Sequence, residues 1–252
     1  MVNENIKIKY LYHSGFLVET DKSLLIFDYY QGMAESLVKE SSKNIFVFCS
    51  HSHPDHFNPV ILEWQKDRPD IQYILSHDIS VPQKIENINY LSPYEKLELG
   101  DLKVKAYNST DIGVSFLVQN EGIRFFHAGD LNWWYWNDTL EGMAKAEKDF
   151  KDEVQRIKGE DIDIAFFPID PRLEKNYSAG AEYFIQELAP RIFIPMHFAD
   201  SPEITEKFGI KMKECPSQIL KLSQKGQELI LSQQSDETLK SNNSRFSVSP
   251  KT

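Results

Sequence analysis

The chain has 252 residues, of which 41% are hydrophobic, so it is long enough to bury the core of one domain. Its formal charge of −10, with dispersed lysines, argues against a general nucleic-acid binder, because a polyanion would be repelled. The sequence shows neither a signal peptide nor an apolar span of roughly 18 residues, which predicts a cytoplasmic protein without a membrane span. The two cysteines, Cys49 and Cys215, are expected to be unpaired and reduced.

Short apolar segments separated by turn residues predict β-strands along most of the chain. The predicted strands cover residues 6–12, 16–20, 23–29, 45–50, 72–75, 102–107, 114–119, 123–127, 162–167, 192–196 and 228–231. Helices are predicted at residues 59–66, 80–86, 137–158, 179–188 and 217–222, the first of them capped by Asn58. This succession indicates one mixed α and β domain over residues 1–232. Residues 233–252 are rich in serine, glutamine and asparagine, and we expect a disordered tail there.

Residues 51–56 (HSHPDH) place three imidazoles and one carboxylate directly behind an apolar strand. Alternate residues of an extended chain project to the same face, so His51 and His53 are predicted to lie side by side. Pro54 then forces a turn that brings Asp55 and His56 round. Imidazole and carboxylate together suit zinc, with manganese or iron as other choices. We interpret the motif as a metal site rather than as a solvated histidine-rich turn.

Three further motifs accompany this HxHxDH pattern in a fixed order along the chain. The opening strands end at Asp28, the segment HAGD ends at Asp130, and the segment IPMHF contains His197. Together they resemble the metallo-β-lactamase superfamily over about residues 6–232. The likeness is nearest to the ascorbate-6-phosphate lactonase and N-acyl-phosphatidylethanolamine phospholipase D types. The resemblance implies an α+β fold, the four-layer αββα sandwich.

The resemblance also implies a centre for two metal ions that share and acidify a water molecule. Its first metal would be bound by His51 and His53, its second by Asp55, His56 and His197, with Asp130 as the bridge. Metal binding can lower the pKa of water from about 15.7 to about 7, so hydroxide forms without a strong base. Asp55 and Asp130 are the predicted catalytic residues, and Asp55 is expected to orient the nucleophile or to take its proton.

One stretch departs from the family's pattern. The family usually has another first-metal histidine before the bridging aspartate, where this chain reads AYNSTDIG at residues 106–113. Ser109 stands at that position, and Asp111 is the nearest residue that can be a strong ligand. Either Asp111 replaces the histidine, which we favour, or it is only a turn residue. In the second case, a single metal would be held by Asp55, His56, Asp130 and His197.

Further residues are predicted to surround the metals. Those expected to contact a substrate are His13, Trp133, Trp134 and Arg172. Alternatively, His13 is a structural histidine and Arg172 a surface arginine. For the two tryptophans, the alternative is packing of their loop against the long helix. Asp28 is predicted to accept a hydrogen bond from a ligand imidazole, and His127 to lie beside the metals without binding them.

The motifs predict a zinc-dependent hydrolase in which activated water attacks an ester, lactone or phosphodiester of a small molecule. The alternatives are a non-catalytic metal-binding or sensing module, a nuclease, and an iron-dependent oxidoreductase of the same fold. The acidic balance of the chain disfavours the nuclease. The oxidoreductase is disfavoured because the diiron branch typically has glutamate where His53 stands and usually carries a flavin domain.

Overall fold

The computed structural model describes residues 5–82, 85–136, 138–233 and 246–250, which form two β-sheets packed face to face. The strands of the first sheet are β1 (Asn5–Tyr12), β2 (Gly15–Glu19), β3 (Ser23–Phe27), β4 (Asn44–Cys49), β5 (Gln72–Ser76), β6 (Ile88–Leu91), β14 (Glu228–Gln233) and β15 (Phe246–Pro250). Those of the second are β7 (Lys96–Leu99), β8 (Leu102–Asn108), β9 (Val114–Asn120), β10 (Ile123–His127), β11 (Ile164–Pro168), β12 (Ile192–Met196) and β13 (Gln218–Ile219). The orders across the sheets are β15-β14-β1-β2-β3-β4-β5-β6 and β13-β12-β11-β10-β9-β8-β7.

Helices cover the outer faces of both sheets. They are α1 (Glu35–Glu40), α2 (Leu140–Ile157), α3 (Ala179–Leu188) and α4 (Glu203–Lys211), with 3₁₀ helices at Pro59–Lys66 and Pro171–Asn176. Trp64 of the first 3₁₀ helix packs in a buried cluster with the outer face of the first sheet. Phe184 of α3 packs on Phe167 of β11, with ring centroids 4.4 Å apart. The predicted α+β four-layer αββα sandwich is therefore confirmed.

Aromatic rings fill the space between the two sheets. Phe16 and Phe166 meet across it with ring centroids 4.4 Å apart, and Phe48 meets Phe116 at 5.5 Å. Each of these rings is fully buried. Burial of this much apolar area is the main favourable contribution to folding, and it holds the strand ends of the two sheets at a fixed spacing.

Parallel pairing brings the carboxyl ends of several strands together at one edge of the sandwich. Strands β3 to β6 pair in parallel in the first sheet, and β10 to β13 do so in the second. The carboxyl ends of parallel strands meet at the same edge, where a crevice collects the residues that follow each strand. The predicted metal motifs follow β4, β10 and β12, so this edge is where they meet.

Several element predictions need correction. Residues 218–219 form β13 rather than a helix, because the Leu220 N–H donates to the carbonyl oxygen of Phe193 in β12. Residues 80–82 and 85–86 are not helical, and residues 83–84 lie outside the described residues. The long helix begins at Leu140, since Thr139 caps it by accepting from the Gly142 N–H, and residue 137, its predicted start, lies outside the described residues.

The predicted disordered tail also differs from the structure. Residues 246–250 form β15, which pairs antiparallel with β14, so for these five residues the prediction of disorder is wrong. The physical reason is Phe246, whose side chain is buried in the core between the sheets. Residues 234–245 and 251–252 lie outside the described residues.

Two smaller expectations concern the thiols and the membrane. Cys49 and Cys215 are both free, as predicted. Among the described residues, no helix is both long and apolar enough to cross a membrane.

Candidate metal centre

Histidines and aspartates from both sheets converge at the carboxyl edge of the parallel strands. His51 follows β4, Asp130 follows β10 and His197 follows β12. The backbones of His13, Asp28 and His197 are left-handed, with φ of 56°, 42° and 64°. Such a conformation costs about 1–3 kcal/mol in a residue other than glycine, and it persists only where the surroundings impose it. Strained residues of this kind concentrate at functional sites.

Asp130 lies at the middle of the cluster. Its Oδ1 atom is 3.2 Å from the Nε2 atoms of both His56 and His197. Its Oδ2 atom is 3.6 Å from Nε2 of His51. One carboxylate therefore faces imidazoles on two sides with its two separate oxygens. This is the arrangement needed from a residue that joins two metal sites.

Three buried polar atoms in this cluster have no hydrogen-bond partner among the described residues. They are Nε2 of His13, Nε2 of His56 and Oδ1 of Asp130. Buried polar atoms nearly always have a hydrogen-bond partner, so three unpaired ones in one cluster indicate that a common partner binds among them. Neutral imidazole nitrogens and a carboxylate oxygen are the donors that zinc and similar cations take. The residues present therefore fit a divalent cation.

A first group of possible ligands opens towards solvent. Nε2 of His51 lies 3.1 Å from Nδ1 of His53, and that Nδ1 lies 3.8 Å from Oδ2 of Asp111. The side chains of His53 and Asp111 are 45% and 42% exposed. Asp130 offers a carboxylate oxygen within 4.8 Å of the ligand atoms of His53 and Asp111, and it forms another set of that size with His51 and His56. The Asp111 N–H donates to Oγ of Ser109 at 3.2 Å, and the Asp111 carboxylate lines the cavity beside His53.

A second group is more deeply buried. It consists of one ligand atom each from His13, Asp55, His56 and His197, all within 4.8 Å of one another. Nε2 of His13 is 3.3 Å from Oδ2 of Asp55. His13, predicted to contact a substrate, instead lies among the atoms that could bind the second metal. An isolated histidine in a turn carries no sequence signal for this position.

Two buried aspartates orient the histidines of the second group. Oδ2 of Asp28 accepts a hydrogen bond from Nδ1 of His56 at 2.7 Å, as predicted, and also from the Ser50 hydroxyl at 2.6 Å. Oδ2 of Asp170 accepts from Nδ1 of His197 at 3.0 Å. Each bond fixes the ring so that Nε2 turns towards Asp130. Asp170 was missed by sequence reasoning, although it follows the buried strand β11 much as Asp28 follows β3.

His127 occupies the edge of the site without joining it. Its Nε2–H donates to the carbonyl oxygen of Ser14 at 2.9 Å, and its Nδ1 accepts from the Gly129 N–H at 3.2 Å. Both ring nitrogens are therefore used within the protein. The prediction of a supporting role for His127 agrees with these contacts.

The pKa values follow from burial and from the carboxylates. Burial, with His56 nearby, lowers the pKa of His51 to about 4, and burial also lowers the pKa of His13. Burial alone would lower the pKa of His197, but Asp130 and Asp170 outweigh it and raise that pKa to about 9. Burial would raise the pKa of Asp130, yet His197 and His56 hold it well below its usual range. Without a metal, the negative charge of Asp130 is thus balanced by His56 and His197, and a bound cation would take over that role.

A cavity of about 460 Å³ opens beside these groups. Trp134 and Arg172 line it, and the Trp134 Nε1–H donates to the Asp130 carbonyl oxygen at 2.9 Å. The Arg172 guanidinium is paired with Asp170 through Nε at 2.9 Å and lies 5.6 Å from the ring of Trp136. Trp136 also lines the cavity, with its ring parallel to that of Trp134 to within 2°.

Trp133 is not among the residues that line this cavity, and its predicted contact with a substrate stays a prediction. Its ring packs near-parallel to that of Phe150 in α2, with centroids 6.4 Å apart, and Lys151 covers it at 4.8 Å. The loop after Asp130 sends one tryptophan inward to the core and two outward to the cavity. Packing of this loop against the long helix, the alternative for the cluster, applies to Trp133 alone.

Removing the charge of Asp170 should weaken metal binding without removing a ligand. In Asp170→Asn we expect metal affinity to fall by about 10- to 100-fold, because the acceptor that orients the ring of His197 loses its negative charge. Isothermal titration of the metal-stripped protein with zinc measures the change. The control is Asp161→Asn, which removes an exposed carboxylate paired with Arg124 and should leave affinity unchanged. Equal affinities in the two variants would contradict the orienting role.

Comparisons with known proteins agree with this geometry. A family model described as the beta-lactamase superfamily domain matches residues 7–197. A metal-dependent hydrolase of Thermococcus kodakarensis is 25% identical over 215 residues, covering 80% of this chain and 88% of that protein. Another, of Opitutus terrae, is 27% identical over 220 residues, covering 79% and 87%. A solved structure of a metallo hydrolase from Ignicoccus hospitalis has a TM-score of 0.65 at 18% identity, covering 90% of this chain and 98% of that one.

Two facing mixed sheets, with clustered histidines and aspartates at the carboxyl edge of their parallel strands, define a metal-site protein of the αββα class. The family match spans more than half of the chain. The chain belongs to the metallo-β-lactamase superfamily, as its motifs indicate. The narrower likeness to the lactonase and phospholipase D types stays a prediction.

Proposed function

We propose that this protein is a metal-dependent hydrolase with a two-metal centre that acts on an ester, lactone or phosphodiester of a small molecule. The observation that carries the proposal is Asp130, whose two oxygens lie within 3.2–3.6 Å of three imidazole nitrogens at the wall of a cavity. The relatives named above as metal-dependent hydrolases support it. Zinc is the metal we expect first, with manganese and iron as alternatives that suit the same donors.

The ligands in this proposal divide between the two groups. Those of the first metal are His51, His53 and Asp111, those of the second include Asp55, His56 and His197, and Asp130 joins the two. Divalent cations bound there would acidify a water molecule and polarise the scissile group. Asp111 takes the place of the missing histidine because its carboxylate faces Nδ1 of His53.

The residues of the chain supply position and proton transfer. Asp55 lines the cavity, and its side chain is 47% exposed, so one carboxylate oxygen can reach a substrate while the other faces His13. We assign it the task of orienting the nucleophile and taking its proton. Trp134 and Trp136 form an apolar wall opposite the carboxylates and exclude water from one side of a bound substrate.

The function is tested with metal-stripped protein reloaded with zinc, manganese or iron. We expect at least one substrate class in a panel of aryl esters, lactones, phosphodiesters and thioesters to be hydrolysed only by a metal-loaded form. Asp55→Asn should lower that rate, whereas His77→Asn, at an exposed histidine outside both groups, should not. Metal-loaded protein that is inert across the panel would contradict the hydrolase and favour a metal-sensing module.

A further inference from the structure

We propose that His13 is a protein ligand of the second metal, in addition to Asp55, His56 and His197. The inference rests on the metal centre of the proposed function. It extends that centre to the turn between β1 and β2, which lies nearly 40 residues before the HxHxDH motif.

The first reason is the environment of the imidazole. His13 is 7% exposed, and its Nε2 is buried without a hydrogen-bond partner among the described residues. A buried imidazole nitrogen without a hydrogen-bond partner is unfavourable unless another group, such as a metal ion, binds it. The nearest carboxylate is that of Asp55, whose Oδ2 is 3.3 Å from Nε2, and Asp55 belongs to the same group of possible ligands.

The second reason is geometric. A tetrahedral zinc with N and O ligands at 2.0–2.2 Å separates them by roughly 3.3–3.6 Å. The pair His13 Nε2 and Asp55 Oδ2, at 3.3 Å, already has that spacing. The other ligand atoms of the group lie within 4.8 Å, so small side-chain rotations close the set. The ring of His13 also lies against that of His197, with centroids 4.0 Å apart.

The third reason is how the turn is held. His13 has a left-handed backbone, its N–H donates to the Tyr10 hydroxyl at 2.9 Å, and its carbonyl oxygen accepts from the His197 N–H at 3.0 Å. Tyr10 is itself buried. Two histidines in strained conformations are thus bonded to each other through the backbone. A two-residue hairpin loop accounts for the left-handed backbone, but the bond to His197 goes beyond what the hairpin needs and ties this turn to the metal centre.

The consequence is that the two metal sites are unequal. With His13, the second site has three imidazoles and the carboxylates of Asp55 and Asp130, and four of these five residues are buried. The first site has lost a histidine at Ser109 and relies on the half-exposed His53 and Asp111. We therefore infer that the second site binds metal tightly and fills first, whereas the first site exchanges its ion with solvent.

The test is titration of the metal-stripped full chain with Zn²⁺ and with Co²⁺. The variant is His13→Asn, because asparagine tolerates a left-handed backbone but its short side chain cannot reach the ion. We expect two binding steps in the unchanged protein, and a loss of at least 10-fold in the tighter one in His13→Asn. The visible spectrum of the Co²⁺ form should change as well. The control is His77→Asn, which should match the unchanged protein.

A second variant separates ligation from a structural role. In His13→Gly, added imidazole should restore the tight binding step and the Co²⁺ spectrum, which a purely structural loss would not allow. Unchanged affinity of the tighter step in His13→Asn would overturn the inference while leaving the hydrolase proposal standing. The expected loss of the tighter step in His13→Asn, together with no hydrolysis by the metal-loaded unchanged protein, would remove the hydrolase proposal alone. Failure of the unchanged protein to bind either ion would remove both.

Discussion

Asp130→Asn is expected to weaken the binding of both metal ions. The substitution keeps the size of the side chain and removes the charge that faces His51 on one side and His56 and His197 on the other. Removing one partner of a buried charge pair costs roughly 3–5 kcal/mol. That corresponds to about 10²- to 10³-fold or more in affinity. Metal titration of the stripped protein, followed by metal analysis after dialysis, measures the loss.

The matched control for this change is Asp138→Asn. Asp138 lines the same cavity and has the same charge, but it belongs to neither group of possible ligands. It should retain both ions at close to their original affinity. If Asp130→Asn still held two ions after dialysis, the bridging role would be wrong.

Gly113→Ala is expected to destabilise the fold and displace a metal ligand together. Gly113 has a φ of 79°, and a Cβ atom there would lie 2.1 Å from the Ser50 carbonyl oxygen and 2.5 Å from Cβ of His51. Backbone strain of about 1–3 kcal/mol and overpacking of about 1–3 kcal/mol give a loss of roughly 2–6 kcal/mol in the free energy of unfolding. At roughly 2–4 °C per kcal/mol, thermal unfolding should begin clearly earlier.

Gly122→Ala separates the clash from the strain. Gly122 has nearly the same φ, 76°, but a Cβ atom there would meet nothing within 4 Å. This variant should lose only the strain contribution, about 1–3 kcal/mol, and should bind metal normally. Thermal unfolding and zinc titration of both variants decide the matter. Equal effects of the two substitutions on metal affinity would contradict the close packing of Gly113 on His51.

The parts of the site that could be predicted are those whose residues lie together in the sequence. The HxHxDH motif occupies six positions, so strand alternation and one proline are enough to predict its shape. Asp28 could be assigned because it ends a predicted strand, and the contact with His56 is present. Asp130 and His197 could be predicted because their motifs follow the HxHxDH motif in the order that the family has.

The parts that could not be predicted depend on tertiary contacts. Asp170 reaches His197 only because β11 and β12 pair in parallel, which places the residues after both strands at one edge. His13 belongs to the second group only because its carbonyl oxygen accepts from the His197 N–H. In the loop after Asp130, local sequence does not tell which tryptophan packs against α2, and only the tertiary structure places Trp133 beside Phe150.

The element predictions failed for the same reason. The segment 217–222 has helix-compatible residues, but the edge of β12 at Ile192 and Phe193 offers backbone groups that pair with residues 218–219 as β13. Phe246 lies in a polar stretch that reads as disordered, and only the open edge of β14 together with the core explains its strand. Local preference is a weak guide where a sheet edge is available to pair with.

Anomalous diffraction from crystals of the zinc-loaded full chain tests the central claim most directly. We predict two peaks roughly 3.5–4 Å apart, one among His51, His53 and Asp111, the other among Asp55, His56 and His197, with Asp130 between them. Crystals of protein incubated with zinc that show no peak beside these side chains, or peaks only elsewhere on the molecule, would contradict the account.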